Sequence, residues 1–157
     1  MDRISEHISY KEATKSYTAV KYGIDNNVYC YCIEDNMKRV AQRIFEPLRS
    51  YYGRPIGIAS FYRSKKLNKR IGGSKNSQHL FGEAVDLDAD MYGFINNSQI
   101  FNYIYRNLDY DQLVWEHGNE EEPDWVHVSY VSTEDNRNEA LVAYKKGNKT
   151  KYRYYEG

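Results

Sequence analysis

No stretch of this chain is apolar for the roughly 20 consecutive residues that a bilayer-spanning helix needs. Neither sign of charge is in excess, with 22 lysines and arginines against 22 aspartates and glutamates. The first absence excludes a membrane-spanning segment. The second removes the electrostatic case for nucleic acid or an anionic membrane as the main partner. Met1-Asp2-Arg3-Ile4-Ser5-Glu6 has no basic segment leading into an apolar one, so no secretory signal is expected, and the chain reads as cytoplasmic when made. Proline is scarce, at three residues, and there is no repeat, low-complexity tract or Pro/Gly-rich linker. The 157 residues therefore read as one monomeric domain, 1–157, large enough to bury a core without staples.

Cysteine is almost absent. The two present lie in Cys30-Tyr31-Cys32, where strand alternation would put both on one face, a poor arrangement for a disulfide. Reduced, partly buried thiols are expected. A soft metal site would need a second pair, which is missing. Tyrosine, in contrast, is abundant at 17 residues. A sugar- or peptide-binding face is one use for it; filling half-buried strand positions is the reading given more weight.

Ser9-Tyr10-Lys11-Glu12 has the form of a capping box and predicts a short helix. Met37, Val40, Ala41, Ile44, Phe45 and Leu48 recur at helical spacing, with Asp35 or Asn36 as cap and Pro47 expected to bend the helix near its end. Ile56 to Ser60 is a short apolar run and predicts a buried strand. Leu67 and Ile71 suggest one helical turn closed by Gly72-Gly73-Ser74. Glu83 to Ala89 alternates, with Ala84, Asp86 and Asp88 on one face and Val85, Leu87 and Ala89 on the other. Ile100, Phe101, Ile104, Tyr105 and Leu108 mark a further helix capped by Ser98. Asp111 to Glu116 and Trp125 to Tyr130 read as strands joined by an acidic loop, and strand-like residues run from Ala140 to Tyr155. Helices early and strands late predict an α+β fold, an antiparallel sheet with helices mainly on one face.

Chemistry gathers around two of the four histidines. His79 precedes the alternating strand, and Gly82 would permit a tight approach of loop to strand. Asp86 lies seven residues on, in the middle of an apolar strand, where a carboxylate is costly without a partner. That partner is either a divalent cation or an arginine. His127 sits mid-strand in Trp125-Val126-His127-Val128-Ser129; alone, such a histidine is more often a satisfied core residue. Together, two imidazoles and one carboxylate make a three-ligand set with the fourth tetrahedral position open, the pattern of catalytic rather than structural zinc.

Ser77-x-His79-x-x-Gly82-x-Ala84-x-Asp86 resembles the SxHxxGxAxD signature of the zinc D-Ala-D-Ala carboxypeptidases. Their relatives include D,D-dipeptidases, phage L-alanyl-D-glutamate endopeptidases and the hedgehog signalling domain. Trp125 to Ser129 resembles the strand that supplies their third ligand. Glu46-Pro47-Leu48-Arg49, Ser60-Phe61-Tyr62-Arg63-Ser64, Leu67-Asn68 and Gly72-Gly73-Ser74 are similar to flanking segments of phage and bacterial members. The resemblance runs from about Ser9 to about Arg137 and implies a hedgehog/DD-peptidase-like fold with a Zn2+ cofactor held by His79, Asp86 and His127. It gives Arg63 the task of stabilising the oxyanion, against a plain salt bridge to an aspartate. Ser77 is implied in substrate binding, against merely capping its loop; His117, from its place next to Glu116, is a candidate to orient substrate or act as an auxiliary, against an ordinary surface histidine.

For the general base two residues stay open. Asp124 holds the position three before the third ligand that many relatives fill with an acid, but it can reach the metal only if the chain turns before Trp125. Glu116 ends the preceding strand, and antiparallel pairing would bring it beside His127. The implied activity is hydrolysis of peptidoglycan stem peptides through a metal-activated water, as a D-Ala-D-Ala carboxypeptidase or an L-Ala-D-Glu type endopeptidase, in a phage or prophage lysis setting. The alternative is a non-catalytic zinc-containing binding module of hedgehog type.

Overall fold

Residues 2–157 are described by a computed structural model. The chain opens with a two-stranded antiparallel ribbon, β1 (Arg3–Ser5) and β2 (Ile8–Ser9), which the periodicity did not reveal because each strand is so short. Helix α1 (Tyr10–Thr14) follows, with the Ser9 hydroxyl accepting from the Glu12 N–H. α2 (Tyr17–Tyr22) was not foreseen; Ser16 caps it and Gly23, at φ 62°, ends it.

The long amphipathic helix starts earlier than expected. α3 (Tyr31–Val40) is preceded by Cys30 as its cap residue, five positions before Asp35. It continues through a π-helical turn (Ala41–Phe45) into α4 (Glu46–Tyr52). The widened turn falls just ahead of Pro47, which lacks an N–H and whose ring would crowd the carbonyl one turn back. Cys30 and Cys32 are therefore not in a strand, and they are joined as a disulfide with Cα atoms 5.3 Å apart. The expectation of free thiols fails because the chain turns into a helix between them instead of running straight.

Strand β3 (Gly57–Ser60), helix α5 (Lys65–Arg70), a 3-10 turn (Gln78–Phe81) and β4 (Ala84–Asp88) come next. Helix α6 (Asn97–Asn107) is capped by Asn96 in a reciprocal pair with Gln99, not by Ser98. The remaining strands are β5 (Gln112–Glu116), β6 (Trp125–Ser129), β7 (Glu139–Lys146) and β8 (Lys149–Tyr154).

The fold is α+β, with a six-stranded sheet of order β3-β4-β6-β5-β7-β8. It is mostly antiparallel; β5 and β7 run parallel, which corrects the purely antiparallel expectation. β7 follows β6 in sequence yet lies beside β5, because segment 130–138 carries the chain across to the far side of that strand.

One face of the sheet is apolar. Val85 and Leu87, Leu113 and Trp115, Val126 and Val128 are buried there and form one cluster with Met37, Val40, Ile44, Ile100, Phe101 and Ile104 of the helices. The alternate residues, Asp86, Val114, Glu116 and His127, point the other way. Several tyrosines do not fill half-buried strand positions: Tyr17, Tyr29 and Tyr31 are more than 80% exposed, on α2 and around the start of α3. Among the described residues no helix is long and apolar enough to cross a membrane.

Candidate metal centre on the open face of the sheet

His79 is fixed from two directions. Its backbone carbonyl accepts from the Arg63 N–H at 3.1 Å, and its ring Nδ1 lies 2.7 Å from the Phe61 carbonyl. A carbonyl only accepts, so Nδ1 carries the proton and Nε2 presents a lone pair. The 3-10 turn that holds His79 is capped at its start by the Ser77 hydroxyl. It ends at Gly82 (φ 70°), where a Cβ would meet Met37 Cγ at 2.6 Å and the Ile33 carbonyl at 2.7 Å. The close approach that Gly82 permits is thus to helix α3 rather than to the strand.

Sheet register brings the other two residues together. β4 pairs with β6 so that Asp86 stands opposite His127, and His127 Nδ1 lies 2.9 Å from Asp86 Oδ1. His79 Nε2 is 3.2 Å from the same oxygen, yet the geometry makes no hydrogen bond. Among the described residues it is the one buried side-chain polar atom without a partner. A buried lone pair facing a carboxylate oxygen is unfavourable unless a cation lies between them. One donor atom from each of His79, Asp86 and His127 lies within 4.8 Å of the others, so the residues present fit a divalent cation with N, N, O donors. The Asp86 carboxyl is held well below the usual carboxylate range: burial opposes ionisation, but His79 beside it and the hydrogen bond from His127 outweigh burial.

Arg63 closes one side. Its Nη2 donates to Asp86 Oδ2 at 3.2 Å, its Nε to the Ser60 hydroxyl and its Nη1 to Asn68 Oδ1. The ion pair weighed as its alternative role is therefore present, while two of the five guanidinium N–H bonds find no partner among the described residues and Arg63 still borders the pocket. Asn26, buried in the loop before α3, was not singled out from sequence. It donates to the Thr14 and Tyr62 carbonyls and accepts from the Ser64 N–H, gripping the chain on both sides of Arg63. Nothing in the spacing of an asparagine within a loop signals such a contact.

The pocket around these groups has a volume of about 450 Å3, and Ser77, Gln112, Glu116, Trp125, Leu141 and Tyr152 also line it. Glu116 pairs with Trp125 across β5 and β6, while His127 faces Val114. Glu116 is thus diagonal to His127, not directly beside it. Burial pushes its carboxyl up to about 7 and Asp86 adds to that, against the opposing pull of His127 and Arg63. Asp124 is exposed and outside the pocket lining; its backbone N–H donates to the Glu116 carbonyl, which ties the loop to the end of β5. His117, at φ 55°, packs its ring against Trp125 at 5.5 Å and keeps Nε2 3.8 Å from Glu116 Oε2. It lines a separate, larger cavity of about 780 Å3 with Trp115 and Tyr155, which contains none of the three clustered residues. Asp88 accepts from the Asp90 N–H and from Asn97, a structural use.

The architecture defines a class: an α+β protein with a two-histidine, one-aspartate donor set on the open face of its sheet. A family model for Peptidase M15 matches residues 6–129, a span that contains His79, Asp86 and His127. The chain belongs to the peptidase M15 family. Over a stretch of 41 residues it is 42% identical to the zinc D-Ala-D-Ala carboxypeptidase of Streptomyces albus G, a match covering 26% of this chain and 16% of that relative's length.

Proposed function

We propose that this chain is a zinc peptidase that hydrolyses peptidoglycan stem peptides, with His79, Asp86 and His127 holding the metal. The observation that carries the reading is the unpartnered, buried Nε2 of His79 facing the Asp86 carboxylate. Membership of a peptidase family supports hydrolysis of a peptide bond, and the name of the Streptomyces relative supports zinc and a D-Ala-D-Ala type substrate. An L-Ala-D-Glu type endopeptidase is the other form the proposal admits. We further take residues 1–157 as a single peptidase domain of hedgehog/DD-peptidase-like packing, acting as a monomer on the cell wall in a lysis setting.

A bound zinc ion would supply Lewis-acid activation of water and of the scissile carbonyl at neutral pH. The chain's own groups do the rest. Glu116, inside the pocket, takes the proton from the attacking water and returns it to the leaving amine. A carboxyl near 7 suits both halves of that exchange. Asp124, outside the pocket, is set aside as base. Arg63 offers its two free N–H bonds to the oxygen that gains negative charge, already oriented by Ser60, Asn68 and Asp86. Ser77 and Gln112 supply polar contacts for the peptide backbone.

The test is digestion of purified sacculi by the zinc-loaded protein, with new termini counted and released muropeptides identified by mass spectrometry. Zinc-dependent cleavage that disappears in His79→Ala is the expected result. Full activity in that variant rejects the assignment, and zinc binding with no cleavage returns the chain to the hedgehog-type binding module.

A further inference from the structure

Residues 130–157 lie beyond the family match, which ends at Ser129, yet they build a third of the sheet. β7 pairs with β5, and β8 pairs with β7. On the open face this continues the rows of side chains that begin at the metal centre. One row runs Asp86, His127, Val114, Leu141, Tyr154; the next runs Trp125, Glu116, Ala143, Tyr152. Ala143 is the small member of the second row, and Tyr152, its partner across β7 and β8, joins Glu116 and Leu141 in lining the same pocket. The proximity has an electrostatic trace: burial, then the Glu116 carboxylate, push the Tyr152 hydroxyl up from its ordinary value.

Tyr152 is 57% exposed, so it is not there to complete the core. The opposite face of β8 carries Lys149, Lys151 and Arg153, charges that discourage an edge strand from pairing with another chain. An edge that is basic on one face and aromatic on the face of the site is built for two different jobs.

We propose that Tyr152 and Leu141 form a substrate-positioning subsite, a wall added by the C-terminal hairpin that holds the part of a peptide substrate two to three residues from the cleaved bond. The distance follows from strand spacing. Three strand-to-strand steps from β6 to β8 cover roughly 14 Å at about 4.8 Å each, and the tyrosine side chain reaches back part of that way, leaving the length of about two or three extended residues. A substrate laid across the strands meets His79, Arg63 and Ser77 at one end and the Leu141–Tyr152 wall at the other. The ring and the leucine give apolar contact; the hydroxyl gives one hydrogen bond.

This inference rests on the peptidase reading, and its test separates the two. Tyr152→Ala and Tyr152→Phe are compared with the parent on a D-Ala-D-Ala dipeptide, too short to span the wall and the metal centre, and on a purified disaccharide-pentapeptide. Calorimetric binding of the pentapeptide is measured in parallel. Tyr152→Ala is expected to raise KM for the pentapeptide about tenfold with kcat little changed, and to affect dipeptide hydrolysis several-fold less. Tyr152→Phe is expected to recover most of the loss. Equal losses on both substrates would mean a structural role and overturn the subsite, as would no change on either, or hydrolysis confined to the dipeptide. If zinc-loaded parent protein cleaves nothing, the peptidase reading fails, and calorimetry still decides this one: weaker pentapeptide binding by Tyr152→Ala supports the wall, while equal or absent binding by both proteins refutes it.

Discussion

The two faces of the sheet share every strand and have opposite chemistry. Leu87 and Asp86 are neighbours on β4: one is fully buried in the helix-covered core, the other faces two histidines and an arginine. The core face is apolar because a polar group left unpaired there would be costly; the one indole N–H of Trp115 is paired with the Asn119 carbonyl. The open face gathers polar groups that would be costly singly, and each is held by another: Asp86 by His127 and Arg63, His79 by Phe61, Arg63 by Ser60 and Asn68. A side chain on the first face contributes stability without chemistry; on the second the polar groups are arranged for chemistry.

Breaking that division on the open face should give the largest effect. His79→Ala removes one of three donors and is expected to abolish zinc binding, read as lost metal in the purified protein, and to lower peptide hydrolysis by more than a thousandfold. The matching change on the covered face is Leu87→Ala. It should cost about 2–5 kcal/mol of stability, measured by urea unfolding, while leaving zinc affinity of the folded protein within a few-fold of the parent. Loss of zinc binding at that position would mean that the faces are not separable.

Glu116→Gln keeps the shape of the open face and removes its base. It should lower kcat about a hundredfold with KM nearly constant. In the parent the reactive form is the carboxylate, whose population grows as pH rises through the folded value near 7. The acidic limb of kcat/KM should therefore fall at or below that pH, since a bound dication favours the charged form. An acidic limb that survives in the glutamine variant would assign it to another group.

Asp111 sharpens the comparison at the start of β5, inside the sheet, where a buried carboxylate is structural. Burial raises its pKa, but hydrogen bonds from the Arg137 side chain and backbone and from Gln78, with the charge of Arg137, bring it down to about 2. A depressed carboxyl stabilises the fold above its ordinary value near 3.8, and that contribution fades as pH falls towards 2. Asp111→Asn should cost about 2 kcal/mol at neutral pH, and the difference from the parent should shrink below pH 4. A difference independent of pH would remove the ionic explanation.

Much of this was legible along the chain. Alternation in 84–89 separated Asp86 from Leu87 before any contact was known, because period two is a local property of a strand. The helical repeat from Met37 to Leu48 named core residues that are all buried. The motif from Ser77 to Asp86 with the later segment around His127 led to the three donors that the sheet brings together. What failed locally failed for local reasons too: Cys30 and Cys32, expected as reduced thiols, are joined as a disulfide, and Asn96 rather than Ser98 caps α6, since two or three polar residues compete for each cap.

Composition and periodicity were enough to decide the α+β class and the core face, and the resemblance of two short segments to a peptidase family named the three residues of the cluster, because each depends on the order of side chains within a segment. Pairing decided the rest. Whether Glu116 or Asp124 enters the pocket, how Asn26 grips the chain around Arg63, and why Tyr152 faces a site whose other residues all come earlier in the chain depend on which strand lies beside which. That choice is made by burial over the whole domain, and in particular by the parallel crossing of β7 to the side of β5.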